Sequence, residues 1–79
     1  MEMRTAEVNE NLIGRRVKGI YTGMQTTGVI VKIIDEPYYK GVKIQLDEPI
    51  NWGGEQYKTY ESTSRKSDEF GNLQSTELI

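Results

Sequence analysis

Apolar residues along the chain fall into two runs that read as paired strands. Thr27-Gly28-Val29-Ile30-Val31-Lys32-Ile33-Ile34 is rich in apolar, β-branched residues, which suits a strand. In Gly41-Val42-Lys43-Ile44-Gln45-Leu46-Asp47, the apolar Val42, Ile44 and Leu46 alternate with polar residues. A period of two places those three on one face, so this segment predicts a half-buried antiparallel strand. Asp35 to Gly41 around Pro37 predicts the hairpin loop between the two runs, because proline cannot donate to a ladder and pushes its predecessor to extended geometry.

Weaker signals flank this pair. Arg15 to Tyr21 alternates as a first strand, with Val17 and Tyr21 on one face and Lys18 and Ile20 on the other, and Thr22 to Thr26 reads as a connector. Asp47 to Gly54 predicts a second long loop, followed by a strand over Gln56 to Lys66, a turn over Asp68 to Asn72 and a last strand over Leu73 to Leu78. A short turn capped by Thr5 is expected near the start. The expected organisation is a polar N-terminal segment, 1–13, and one β-domain, 14–79, whose strands neighbour in space as they do in sequence.

A chain of 79 residues buries only about 60% of its unfolded surface on folding. Five or six short strands at that size cannot form two full sheets, so the predicted fold is all-β, a small barrel whose curl covers the apolar face and hides the edges. Val17, Ile20, Val29, Val31, Ile33, Val42, Ile44, Leu46 and Leu73 are the expected core. Gly19, Gly28 and Gly41 fall in or beside strands, where a missing side chain allows a sharp bend. The alternative for them is close approach of a ligand.

Three segments carry a resemblance: Gly14-Arg15-Arg16-Val17, Thr27-Gly28-Val29-Ile30-Val31 and Gly41-Val42-Lys43-Ile44-Gln45-Leu46-Asp47-Glu48-Pro49. Together they resemble the Src-homology-3-like small barrels, a wording shared with Tudor and KOW domains. Within that group, residues 14 to about 60 look like a cytoskeleton-associated glycine-rich (CAP-Gly) domain. The resemblance implies a five- or six-stranded barrel and a peptide groove. That family's groove loop reads Gly-Lys-Asn-Asp-Gly; here Ile50-Asn51-Trp52-Gly53-Gly54 keeps an asparagine and glycines without the lysine and aspartate.

Composition narrows the chemistry. There is no cysteine and no histidine, which removes disulfides, Cys/His zinc sites and histidine-based triads. No cofactor or metal is expected. Ten basic residues against twelve acidic ones disfavour sequence-independent nucleic-acid binding. The polar, acid-bearing start and the short apolar runs lead to an expectation of a cytoplasmic protein without a membrane span.

Candidate chemistry is of three kinds. Tyr38 and Tyr39, then Trp52, then Tyr57 and Tyr60, with Tyr21 at the end of the first strand, form an aromatic set that could stack on a base, cover a proline helix or enclose a cation; alternatively Trp52 and one or two tyrosines cap the ends of a small barrel. Lys18, Lys32 and Lys43 could line up as a cationic strip, or be ordinary solvated strand positions. Asp35-Glu36, Asp47-Glu48 and Asp68-Glu69 each sit where a turn is expected and read as solvated turn acids rather than catalytic pairs. The resulting expectation is a non-catalytic binding module, an accessory protein of bacterial or phage type, that contacts a protein or peptide through Trp52, Tyr57, Tyr60, Tyr38 and Tyr39. Nucleic-acid binding through Lys18, Lys32 and Lys43 with aromatic stacking is the alternative. A common site further requires the loops over 35–40 and 48–55 to share one end of the barrel.

Overall fold

A computed structural model describes residues 2–4, 7–21, 23–67 and 72–79. Six strands form one antiparallel sheet: β1 (Glu2–Arg4), β2 (Arg16–Tyr21), β3 (Met24–Asp35), β4 (Tyr39–Trp52), β5 (Glu55–Arg65) and β6 (Asn72–Leu78). The all-β prediction stands. The spatial order is β1-β6-β2-β3-β4-β5. From β2 to β5 the chain is the expected meander, but β6 crosses back to pair with β2 and β1 instead of following β5. Among the described residues no ladder joins the β1 and β5 edges of the curled sheet, so it is an open roll rather than a closed barrel. Among the described residues no helix is long and apolar enough to cross a membrane.

Side chains bridge the seam between β5 and β6 where backbone pairing does not. The Tyr21 hydroxyl lies 2.8 Å from Thr76 Oγ1, which donates to Ser62 Oγ at 3.1 Å. These buried hydroxyls link β2, β6 and β5 across the inside of the roll, and their mutual bonding offsets the desolvation that burying them costs. Burial pushes the Tyr21 phenol pKa up, opposed by its hydrogen bond to Thr76.

The core contains Val8, Leu12, Val17, Tyr21, Ile30, Val42, Ile44, Leu46, Ile50, Leu73 and Leu78, with Ile33 and Tyr60 packed against it. Several expected members lie elsewhere. In β2 the inward positions are Val17, Gly19 and Tyr21, so strict alternation leaves Ile20 outside at 57% exposure. In β3 the pairs Ile30↔Ile44 and Lys32↔Lys43 leave an extra residue, Val31, which makes a bulge. Before the bulge Gly28 and Ile30 face inward, so alternation leaves Val29 only half-buried and Val31 42% exposed, and beyond it the inward parity passes to Ile33.

The segment before residue 14 belongs to the fold. β1 pairs with β6, and a 3₁₀ turn over Glu10–Leu12, capped by the Asn9 side chain accepting from the Asn11 amide at 2.9 Å, delivers Leu12 to the core near Val8. The expected cap at Thr5 and residues 68–71 of the expected turn over Asp68 to Asn72 lie outside the described residues, and Asn72 is the first residue of β6. Gly41 is buried in β4, where an added Cβ would run into the Ser62 carbonyl oxygen and Thr63 Cα of β5; at Gly28 it would meet the Gln45 carbonyl oxygen and Ile44. Neighbouring strands therefore occupy the space these glycines leave.

Candidate functional site

β4 separates the aromatic candidates. It runs for 14 residues and replaces most of the expected second loop with strand. The turn is reduced to Gly53 and Gly54, whose φ angles of 62° and 80° are those a two-residue hairpin turn of type I′ requires. Trp52 is thus the last residue of a strand, while Tyr39 is the first. A straight strand of that length would span roughly 46 Å, more than the 34 Å longest extent of the molecule. β4 therefore bends, at the irregularity between Gln45 and Ile50. The loops over 35–40 and 48–55 do not form the single aromatic site that was expected, because two hollows with no shared lining result. Tyr38 and Tyr39 line one with Pro37, Arg65, Lys66 and Ser67, whereas Trp52, Tyr57 and Tyr60 line the other.

Beyond Leu46 the β4–β5 hairpin is a two-stranded ribbon. The β3–β4 ladder ends at Gly28↔Leu46, and the ribbon continues alone through Ile50↔Tyr57, Asn51↔Gln56 and Trp52↔Glu55. At its base, residues 46–49 lie opposite Lys58 alone, and a bulge of this kind increases local twist. The outcome is a cleft of about 200 Å³ with a floor of Leu46 and Ile50 and walls of Trp52, Tyr57 and Tyr60. Tyr60 is fixed from behind by stacking on Tyr21, with ring centroids 3.8 Å apart at 22°. Trp52 and Tyr57 keep 59% and 40% exposure. Glu55 flanks the cleft and accepts a hydrogen bond from the Tyr57 hydroxyl at 3.1 Å.

The expected cationic strip does not assemble. Lys32 and Lys43 are cross-strand partners, with Glu61 on the other side of Lys43. Lys18 lies opposite Thr27, five positions along β3 from Lys32, roughly 16 Å away. Its ammonium pairs with Glu77 at 3.9 Å.

Of the expected turn acids, Asp47 and Asp35 act within the fold, whereas Asp68 and Glu69 lie outside the described residues. Asp47 accepts both guanidinium branches of Arg16, Nη1 at 3.2 Å and Nη2 on the other oxygen, together with the Thr27 hydroxyl at 2.5 Å. These bonds hold the Asp47 carboxyl below the usual carboxylate range and raise the Arg16 pKa. They tie β2, β3 and β4 together on the outer face. Asp35 is likewise held low by Lys66, whose ammonium lies 2.5 Å away.

Sequence reasoning named the three rings of the cleft but not its floor or its carboxylate. The expected loop over Asp47 to Gly54 contains Ile50 and ends beside Glu55, and the sequence signal for a strand there is the Gly53-Gly54 pair between β-forming residues. The model of a family described as Domain of unknown function (DUF7258) matches residues 3–78, nearly the whole chain. No curated protein and no solved structure matches it.

Proposed function

The chain belongs to the DUF7258 family, and we propose that it is a cytoplasmic, non-catalytic binding module. It takes a side chain of a protein partner into the cleft of Leu46, Ile50, Trp52, Tyr57 and Tyr60. One observation carries the reading: the only Trp of the chain stands 59% exposed beside Tyr57 over an apolar floor. Exposed aromatic rings at a concave apolar surface are the usual anchors of protein interfaces. The cysteine-free composition fits a reducing compartment.

Nucleic-acid binding finds less support, since Lys18 is engaged by Glu77 and Lys43 stands beside Glu61. The test is selection from a random peptide library displayed on phage. Binders sharing one anchor residue should emerge, and Trp52→Ala should lose them while keeping its thermal midpoint within a few degrees. Binders that ignore Trp52→Ala, or a collapsed midpoint, would remove the cleft as the contact site. Binding that falls steeply as salt rises would favour the phosphate-dependent alternative.

A further inference from the structure

We infer that the side chain this cleft accepts is an arginine, carried by a basic segment of the partner; the inference rests on the cleft being the contact site. Its size is the first argument. At about 200 Å³ it lies below the roughly 300–1,000 Å³ of small-molecule pockets and suits one long side chain. The second argument is the match between its parts and the parts of arginine. Leu46 and Ile50 offer an apolar floor for a methylene stem, and the faces of Trp52 and Tyr57 suit a planar, weakly hydrated guanidinium.

Charge supplies the third argument. Glu55 is the cross-strand partner of Trp52, and the Tyr57 hydroxyl bonds to its Oε2 at 3.1 Å. That bond orients the carboxylate beside the rings and leaves lone pairs for a forked donor. Elsewhere on the ribbon Asp47 is neutralised by Arg16, while Glu48 and Glu55 have no ion-pair partner among the described residues. An anionic partner group would be repelled here. A neutral apolar one would leave the carboxylate unused.

Capped pentapeptides with a central arginine, citrulline, norleucine or glutamate, flanked by glycines, are the probes. Binding is read from the single indole N–H resonance of Trp52 in the intact chain. The arginine peptide should bind roughly tenfold more tightly than the citrulline peptide, the ratio that about 1.4 kcal/mol of cation recognition produces. Glu55→Gln should bring arginine down towards citrulline without moving the thermal midpoint. If norleucine or citrulline binds as tightly as arginine, or Glu55→Gln leaves the ratio unchanged, the arginine assignment is wrong and the cleft reading survives. If no peptide shifts the indole resonance, the cleft reading itself fails.

Discussion

Ile44 sits at the centre of β4 with no accessible surface, opposite Ile30 on one side and Tyr60 on the other. Replacing it by alanine deletes buried methylenes and leaves a cavity that the ladders on both sides cannot collapse, so Ile44→Ala should cost about 2–5 kcal/mol in chemical denaturation. Val31→Ala, at the exposed bulge, should cost less than about 0.5 kcal/mol. Equal losses would mean that β3 turns its other face inward. Asp47 gives a residue-scale prediction in pH. Its pKa is lowered in the folded chain by Arg16 and Thr27, so the unfolded chain takes up its proton first as pH falls. The stabilisation is complete above the unfolded value of about 3.9 and is lost as pH drops through the lower folded value. Thermal midpoints recorded from pH 6 to pH 2 should therefore fall less steeply below pH 4 for Asp47→Asn than for the parent; an identical slope would show that the Arg16 pair contributes nothing. Val42, Ile44 and Leu46 were legible because polar residues separate them. The Val29 to Ile34 run was not, because a nearly unbroken apolar run does not say which parity faces inward, nor that Val31 bulges.

At the scale of elements, the glycines and the ribbon are where local structure depends on neighbours. Gly41→Ala would drive a methyl group into the β5 backbone, a backbone that cannot swing aside as a side chain does. Such overpacking should cost about 1–3 kcal/mol, whereas Gly14→Ala, with open space around it but a φ of 90°, carries only conformational strain, about 1–2 kcal/mol. A midpoint for Gly41→Ala equal to that of the parent would place β5 farther from β4. The ribbon beyond Leu46 has one ladder where the rest of β4 has two. In native-state hydrogen exchange the amides of residues 51–56 should exchange faster than those of Val42 and Ile44, because two-stranded pieces open locally. Equal protection would mean that something else packs on the ribbon. The sequence marked this hairpin only through Gly53-Gly54; Glu48-Pro49 read as a loop because strand interiors rarely hold them, and the bulge is what admits them.

At the scale of the whole molecule, the return of β6 to β2 makes the roll, and the Tyr21, Thr76 and Ser62 hydroxyls hold its seam. Thr76→Val keeps the shape but removes the hydroxyl that bonds to both Tyr21 and Ser62, and should cost about 1–3 kcal/mol; a neutral outcome would show that these two bonds do not hold the seam. By itself the sequence determined the class and the centre of this protein. Two-residue alternation around Val42, Ile44 and Leu46, turn residues at regular intervals and the lack of long helical periodicity are local signals, and strands are specified locally. It also named the rings of the cleft, because the chain has only one Trp, five Tyr and one Phe to choose among. Only the tertiary structure decided the pairing of β6, the entry of Val8 and Leu12 into the core, and the division of the aromatics between two hollows. Each depends on contacts between residues far apart in sequence, or on a bulge whose position follows from how the curled sheet fits together, and neither leaves a pattern in any short stretch of the chain.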